Sequence, residues 1–60
     1  MWKVVFDTGK ATRCNSKQAA LEAAQSHCDR QDRSAEVFDR KGRLRFRYWW
    51  DSEGLQYLEY

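Results

Sequence analysis

No proline interrupts this chain, and its 60 residues include only three glycines, two cysteines and one histidine. Without a glycine-rich loop there is no phosphate cradle of the nucleotide-binding kind. His27 stands beside Cys28 in the sequence, and no serine or cysteine nucleophile is found at a recognisable spacing from it. A metal site built from Cys14, His27 and Cys28 fails on geometry, because neighbouring helical residues point to different faces and Cys14 lies well away. We therefore expect no enzyme, no cofactor and no metal.

Long apolar stretches are also missing: no run exceeds three residues, too short for a signal-peptide core or a membrane span. A soluble, cytoplasmic protein is the expectation. Cys14 and Cys28 flank a helical stretch in which about twelve residues at 1.5 Å rise separate them by roughly 18 Å. A disulfide needs Cα atoms within about 7 Å, so two free thiols are expected.

What is present is aromatic and cationic. Three Trp, three Tyr and three Phe must supply much of the burial that lets a single domain, residues 1–60, fold near the lower size limit for a chain without staples. The net charge of +2 is too small to select a partner by itself. Its distribution is uneven, however: Arg40, Lys41, Arg43, Arg45 and Arg47 fall close together, whereas residues 51–60 carry Asp51, Glu53 and Glu59 with no base.

The strongest pattern is Arg43 to Trp50, which alternates Leu44, Phe46, Tyr48 and Trp50 against Arg43, Arg45, Arg47 and Trp49. A period of two predicts a strand with one face in a core, and its length suggests the central strand. Trp2, Val4 and Phe6 mark an earlier strand that ends at Asp7-Thr8-Gly9. With Gly9 closing a three-residue bulged loop, Val4 faces Thr12, Lys3 faces Arg13 and Trp2 faces Cys14. A two-residue Thr8-Gly9 turn would instead put Arg13 in the core, at a desolvation cost.

Asn15 with Gln18, or Ser16 alone, can cap a helix from Lys17 to about Gln31. Ala20, Leu21, Ala24 and Cys28 form its small apolar face. Ala35 to Phe38 reads as a third strand leading into Asp39-Arg40-Lys41-Gly42, the composition of a type I turn with a glycine bulge. That register sets Phe38 opposite Leu44 and Val37 beside Arg45. A two-residue turn would pair Glu36 with Arg45, but needs positive φ at Arg40 and Lys41. Leu55 to Tyr60 reads as a returning fifth strand, in preference to a short helical turn.

The fold class predicted is α+β: a single helix packed on one face of a four- to five-stranded antiparallel sheet, in the order β-β-α-β-β(-β). Trp2-Lys3-Val4-Val5, Ser16-Lys17-Gln18-Ala19-Ala20 and Val37 to Leu44 with its Gly42 hairpin resemble a family of small bacterial β-β-α-β-β domains of unknown function. The likeness covers most of residues 2–48. Lys41 stands where that family often has aspartate, and Trp49 to Tyr60 has no counterpart in it. The resemblance implies a helix on one antiparallel sheet and no activity. In size and layout the chain is also similar in style to phage-encoded accessory and inhibitor proteins.

One helix cannot cover both sides of a sheet, and long Arg stems ordinarily shield the open side. In the preferred registers that side carries Lys3, Arg13, Arg43, Arg45, Arg47 and Trp49, with Val5 and Val37 between them. Lys3 opposite Arg13 is a like-charge pair, which hints at an anionic visitor. The function expected is a non-catalytic binding module whose Arg and Trp side chains dock on a protein partner. Single-stranded nucleic acid bound on the same face is the alternative. As an edge, Leu55 to Tyr60 can also extend a partner's sheet or pair with its own copy as a homodimer.

Overall fold

The computed structural model describes residues 1–60. Its first two strands, β1 (Trp2–Phe6) and β2 (Ala11–Cys14), are joined by a turn that Gly9 closes at φ +90°. Gly9 N–H donates to the Phe6 carbonyl (3.0 Å) and Phe6 N–H to the Lys10 carbonyl (2.8 Å). The hairpin between β3 (Ala35–Phe38) and β4 (Leu44–Asp51) is built the same way. Gly42 N–H donates to Asp39 (3.0 Å), Asp39 N–H donates to Arg43 (2.9 Å), and Gly42 has φ +80°. Both glycines occupy the left-handed position that such loops require. The expected first register holds, with Trp2 facing Cys14, Lys3 facing Arg13 and Val4 facing Thr12.

Between the hairpins lies α1 (Lys17–His27), capped by Ser16, whose hydroxyl accepts from Ala19 N–H at 3.1 Å. It stops about one turn before the expected Gln31. At this end Trp50 Nε1–H donates to the Cys28 carbonyl at 2.8 Å, satisfying one of the acceptors a helix end leaves unpaired. The chain then reverses through Asp32 at φ +69°.

A final strand, β5 (Gly54–Glu59), returns along β4. The complete antiparallel sheet has the order β2-β1-β3-β4-β5, so the fold is the α+β arrangement expected, with all five strands formed. The central strand is β3 rather than β4. Because α1 returns the chain to the free side of β1, β3 takes the middle and β4 lies second from the edge.

Small side chains let α1 sit close on β1, β2 and β3: Ala20, Ala24 and Cys28 are fully buried against Val4 and Val37. Beyond β3 the helix reaches β4 through side chains, with Lys17 Nζ over the Phe46 ring at 5.4 Å and Gln25 donating to the Tyr48 hydroxyl at 3.3 Å. It leaves β5 uncovered. Cys14 and Cys28 are both free thiols. No helix is long and apolar enough to cross a membrane.

The β3–β4 ladder departs from the expected one. Phe38 faces Leu44, as expected, but Val37 faces Phe46, and Arg45 is the extra residue between them. The pairing of β3 with β1 fixes its faces, with Val37 on Val4 and Glu36 on Val5. A regular β3–β4 ladder would have turned Phe46 to the open side opposite Glu36 and Arg47 under the helix opposite the buried Ala35, at the cost of desolvating a guanidinium. The bulge instead sets Glu36 opposite Arg47 on the open side, with Arg47 Nη2 3.0 Å from Glu36 Oε2. It also exchanges Val37 and Phe38: Val37 is fully buried opposite Val4, whereas Phe38, with Leu44 and Lys3 as its neighbours, belongs to the open face. Leu44 therefore does not meet the helix, contrary to the simple alternation.

Phe46→Ala should cost about 3–5 kcal/mol in denaturant unfolding, as for other buried phenylalanines, and Leu44→Ala about 1 kcal/mol or less. Equal losses would place Leu44 in the core. Trp50→Phe, which removes the donor to the Cys28 carbonyl, should cost about 1–3 kcal/mol and speed amide exchange in the last turn of α1.

Candidate functional site

No element covers the side of the sheet opposite α1. Rows across it follow from the registers, because directly paired residues share a face. One row runs Arg13, Lys3, Phe38, Leu44, and the next runs Ala11, Val5, Glu36, Arg47, Leu58. Trp49 on β4 and Gln56 on β5 form a further pair.

Of the expected surface residues, Lys3, Arg13, Arg47 and Trp49 lie on this face, and Arg43 and Arg45 do not join them. Both turn to Asp39, a nearly enclosed carboxylate, 7% exposed. Asp39 Oδ1 accepts from the backbone N–H of Lys41 (2.8 Å) and Arg43 (3.0 Å). Asp39 Oδ2 lies 3.4 Å from Arg43 Nε and 3.6 Å from Arg45 Nη1. The bulge is what frees Arg45 to reach it. The Arg43 N–H, then that of Lys41 and the Arg43 charge, hold the Asp39 carboxyl below its ordinary pKa against the opposing effect of burial.

Lys3, one of the like-charge pair with Arg13, has an attractive neighbour within the protein, its Nζ sitting 5.2 Å from the centroid of the Phe38 ring on the other neighbouring strand. Arg47 is engaged by Glu36, which raises its pKa. The face is thus less cationic and more apolar than the alternation suggested. Its relief is concentrated at Arg47 and Trp49, which line both of two shallow hollows. One, of about 210 Å³, extends over Val5 and Glu36; the other, of about 340 Å³, is completed by Leu58 and Tyr60, which are 48% and 52% exposed.

Cations gather instead at one end of the sheet, around the β3–β4 hairpin. Lys3, Arg13 and Arg40 line a hollow on one flank of it. Arg40, Lys41, Arg43 and Arg45, with Trp2, line another.

At the opposite end, His27 Nε2 lies 2.7 Å from Asp7 Oδ1, with Arg33 3.8 Å from Asp7 Oδ2 and the imidazole packed on Phe6 at 4.4 Å. The His27 contact, with lesser help from the Ser34 backbone and Arg33, lowers the Asp7 pKa. Twenty residues of sequence separate the pair, so no local pattern announces it. Burial, with the Asp7 charge, raises the Cys28 pKa and keeps that thiol protonated, away from nucleophilic chemistry. No group of three or more His, Cys, Asp or Glu side chains is placed to hold a metal ion.

Comparison of the chain with protein-family models, with curated proteins and with solved structures finds no match.

A carboxylate whose folded pKa lies below its unfolded value of about 3.9 stabilises the fold above that value, and this stabilisation is lost as pH falls through the folded pKa. Asp39→Asn should therefore be less stable than the parent at neutral pH and should lose stability less steeply below about pH 5. Denaturant midpoints measured across that range check this; parallel curves would mean the Asp39 charge contributes nothing.

Proposed function

We propose that this protein is a non-catalytic docking module that binds a protein partner through the open sheet face, with Trp49 and Arg47 at the centre of the contact. The observation that carries this reading is the Trp49–Arg47 ridge with a hollow on each side. Tryptophan and arginine are among the residues most enriched where interface energy concentrates, at centres ringed by contacts that exclude water. Leu58 and Tyr60 on one side and Val5 on the other supply the apolar surround, and the Arg47–Glu36 pair leaves the centre without an unbalanced charge. Regulatory or inhibitory action on the partner fits a domain of this size, which acts by covering a surface. A cytoplasmic setting suits two unpaired thiols.

A second reading is favoured by the cations at the β3–β4 hairpin, where a single-stranded nucleic acid could lay its phosphates along Arg40, Lys41, Lys3 and Arg13. On the face itself, ion pairing leaves less charge for phosphates than an open nucleic-acid platform needs, which is why a protein partner ranks first.

Affinity capture from the native host, with and without nuclease, separates the two. Trp49→Ala should weaken the captured protein complex by about 30-fold or more, a loss of about 2 kcal/mol, and leave the thermal midpoint little changed. Capture that needs intact nucleic acid, falls steeply with salt and is lost on a joint change of Arg40 and Lys41 to Glu would support the second reading. Binding unaffected by Trp49→Ala, Arg47→Glu or that joint change would contradict both.

A further inference from the structure

The two edges of the sheet differ in how they are protected. At one edge, β2 is four residues long, half the length of β4, and carries Arg13. Short edge strands and charged side chains are the usual means of preventing strand addition. At the other edge, β5 is six residues long. It follows β4 without a bulge, has no proline, lysine or arginine, and exposes Leu55, Tyr57 and Leu58 at 39%, 65% and 48%. Since α1 stops short of it, both of its faces are bare.

The unpaired backbone groups of β5 can be assigned. Tyr60 N–H donates to the Arg45 carbonyl, and in an antiparallel ladder hydrogen-bonded and non-hydrogen-bonded pairs alternate. Leu58 and Gln56 therefore bond to Arg47 and Trp49, while the N–H and C=O groups of Leu55, Tyr57 and Glu59 point out of the sheet. These three positions are symmetric about Tyr57.

We infer that β5 pairs antiparallel with β5 of a second copy, across a two-fold axis at Tyr57, to form a continuous ten-stranded sheet. In this register Tyr57 faces Tyr57 of the other copy and Leu55 faces Glu59. Every outward N–H then meets an outward C=O; pairing centred one residue to either side leaves some without a partner. Charge supports the same register. Glu59, the one charged side chain of the edge, lies opposite leucine, whereas pairing centred on Leu58 would bring Glu59 closer to its own copy. On the helix side Tyr57 already stacks on Tyr48 at 5.9 Å, so the axis continues this into a row of four tyrosines. The contact is isologous and closed, since it consumes both exposed edges and leaves outermost the two protected β2 strands. It uses the edge of the sheet rather than its open face, so either assignment can fail without the other.

Sedimentation equilibrium up to about 1 mM, combined with amide hydrogen exchange, tests this. The protein should reach twice its 7.2 kDa mass, with the Leu55, Tyr57 and Glu59 amides slowed as the dimer forms. Tyr57→Lys should remain monomeric, exchanging at those three amides while Gln56 and Leu58 stay protected by β4. Tyr57→Pro, which removes an N–H that β4 does not use, should also remain monomeric, with the Leu55 and Glu59 amides exchanging. Three results would overturn the inference: a monomer at every concentration, a dimer whose Leu55, Tyr57 and Glu59 amides exchange freely, or mass growing beyond two copies with protection at Ala11 and Arg13, the sign of head-to-tail addition to β2.

Discussion

The placement of one residue, Arg45, organises the molecule. As the extra residue in the β3–β4 ladder it decides which side chains face α1. With it, Val37 and Phe46 meet Val4 in the core, Glu36 meets Arg47 in the open, and Phe38 joins Leu44 and Lys3 on the uncovered face. Without it, β3 would keep the faces its pairing with β1 sets, Arg47 would be driven under the helix opposite Ala35, and the buried Phe46 and Tyr48 would be turned to the open side. The same shift lets Arg45 join Arg43 at Asp39, whose carboxylate already holds the hairpin turn through two backbone N–H groups. Turn, bulge and ion pairs form one unit.

From that unit follows the distribution of surfaces. The helix, made slender by Ala20 and Ala24, covers β2, β1 and β3 closely and meets β4 at its margin, where Lys17 and Gln25 reach Phe46 and Tyr48. The rest of the sheet is left as an overhang. On its open side Arg47 and Trp49 stand between two hollows; along its margin β5 offers unpaired backbone; at the hairpin end the remaining cations collect. A net charge of +2 conceals this separation, because acids such as Asp7, Asp51 and Glu53 occupy the far end.

Local chemistry explains what could be read in advance. Gly9 and Gly42 specify their loops, and with them the register of Trp2, Lys3 and Val4 against Cys14, Arg13 and Thr12. Ser16 marks the start of α1, and the distance along the helix separates Cys14 from Cys28. Positions decided by distant partners were not legible. The helix ends about one turn before its helix-forming residues run out, where Trp50, 22 residues on, donates to the Cys28 carbonyl. The bulge answers to Glu36 and Val37 on the neighbouring strand, so the alternation from Arg43 to Trp50, regular as it is, misassigns Arg43, Leu44 and Arg45. The same pattern overstated the cationic face, since Asp39 and Glu36 were close enough to claim three of its arginines only once the sheet was assembled. A long alternating run also looked central, although sheet order depends on which side of β1 the helix returns to.

The bulge itself is the point to measure. Cross-strand proton contacts between β3 and β4 in solution should link Phe38 with Leu44 and Val37 with Phe46, and leave Arg45 without a partner on β3. Contacts linking Val37 with Arg45 and Glu36 with Phe46 would show a regular ladder and contradict the faces assigned above to β4 and β5.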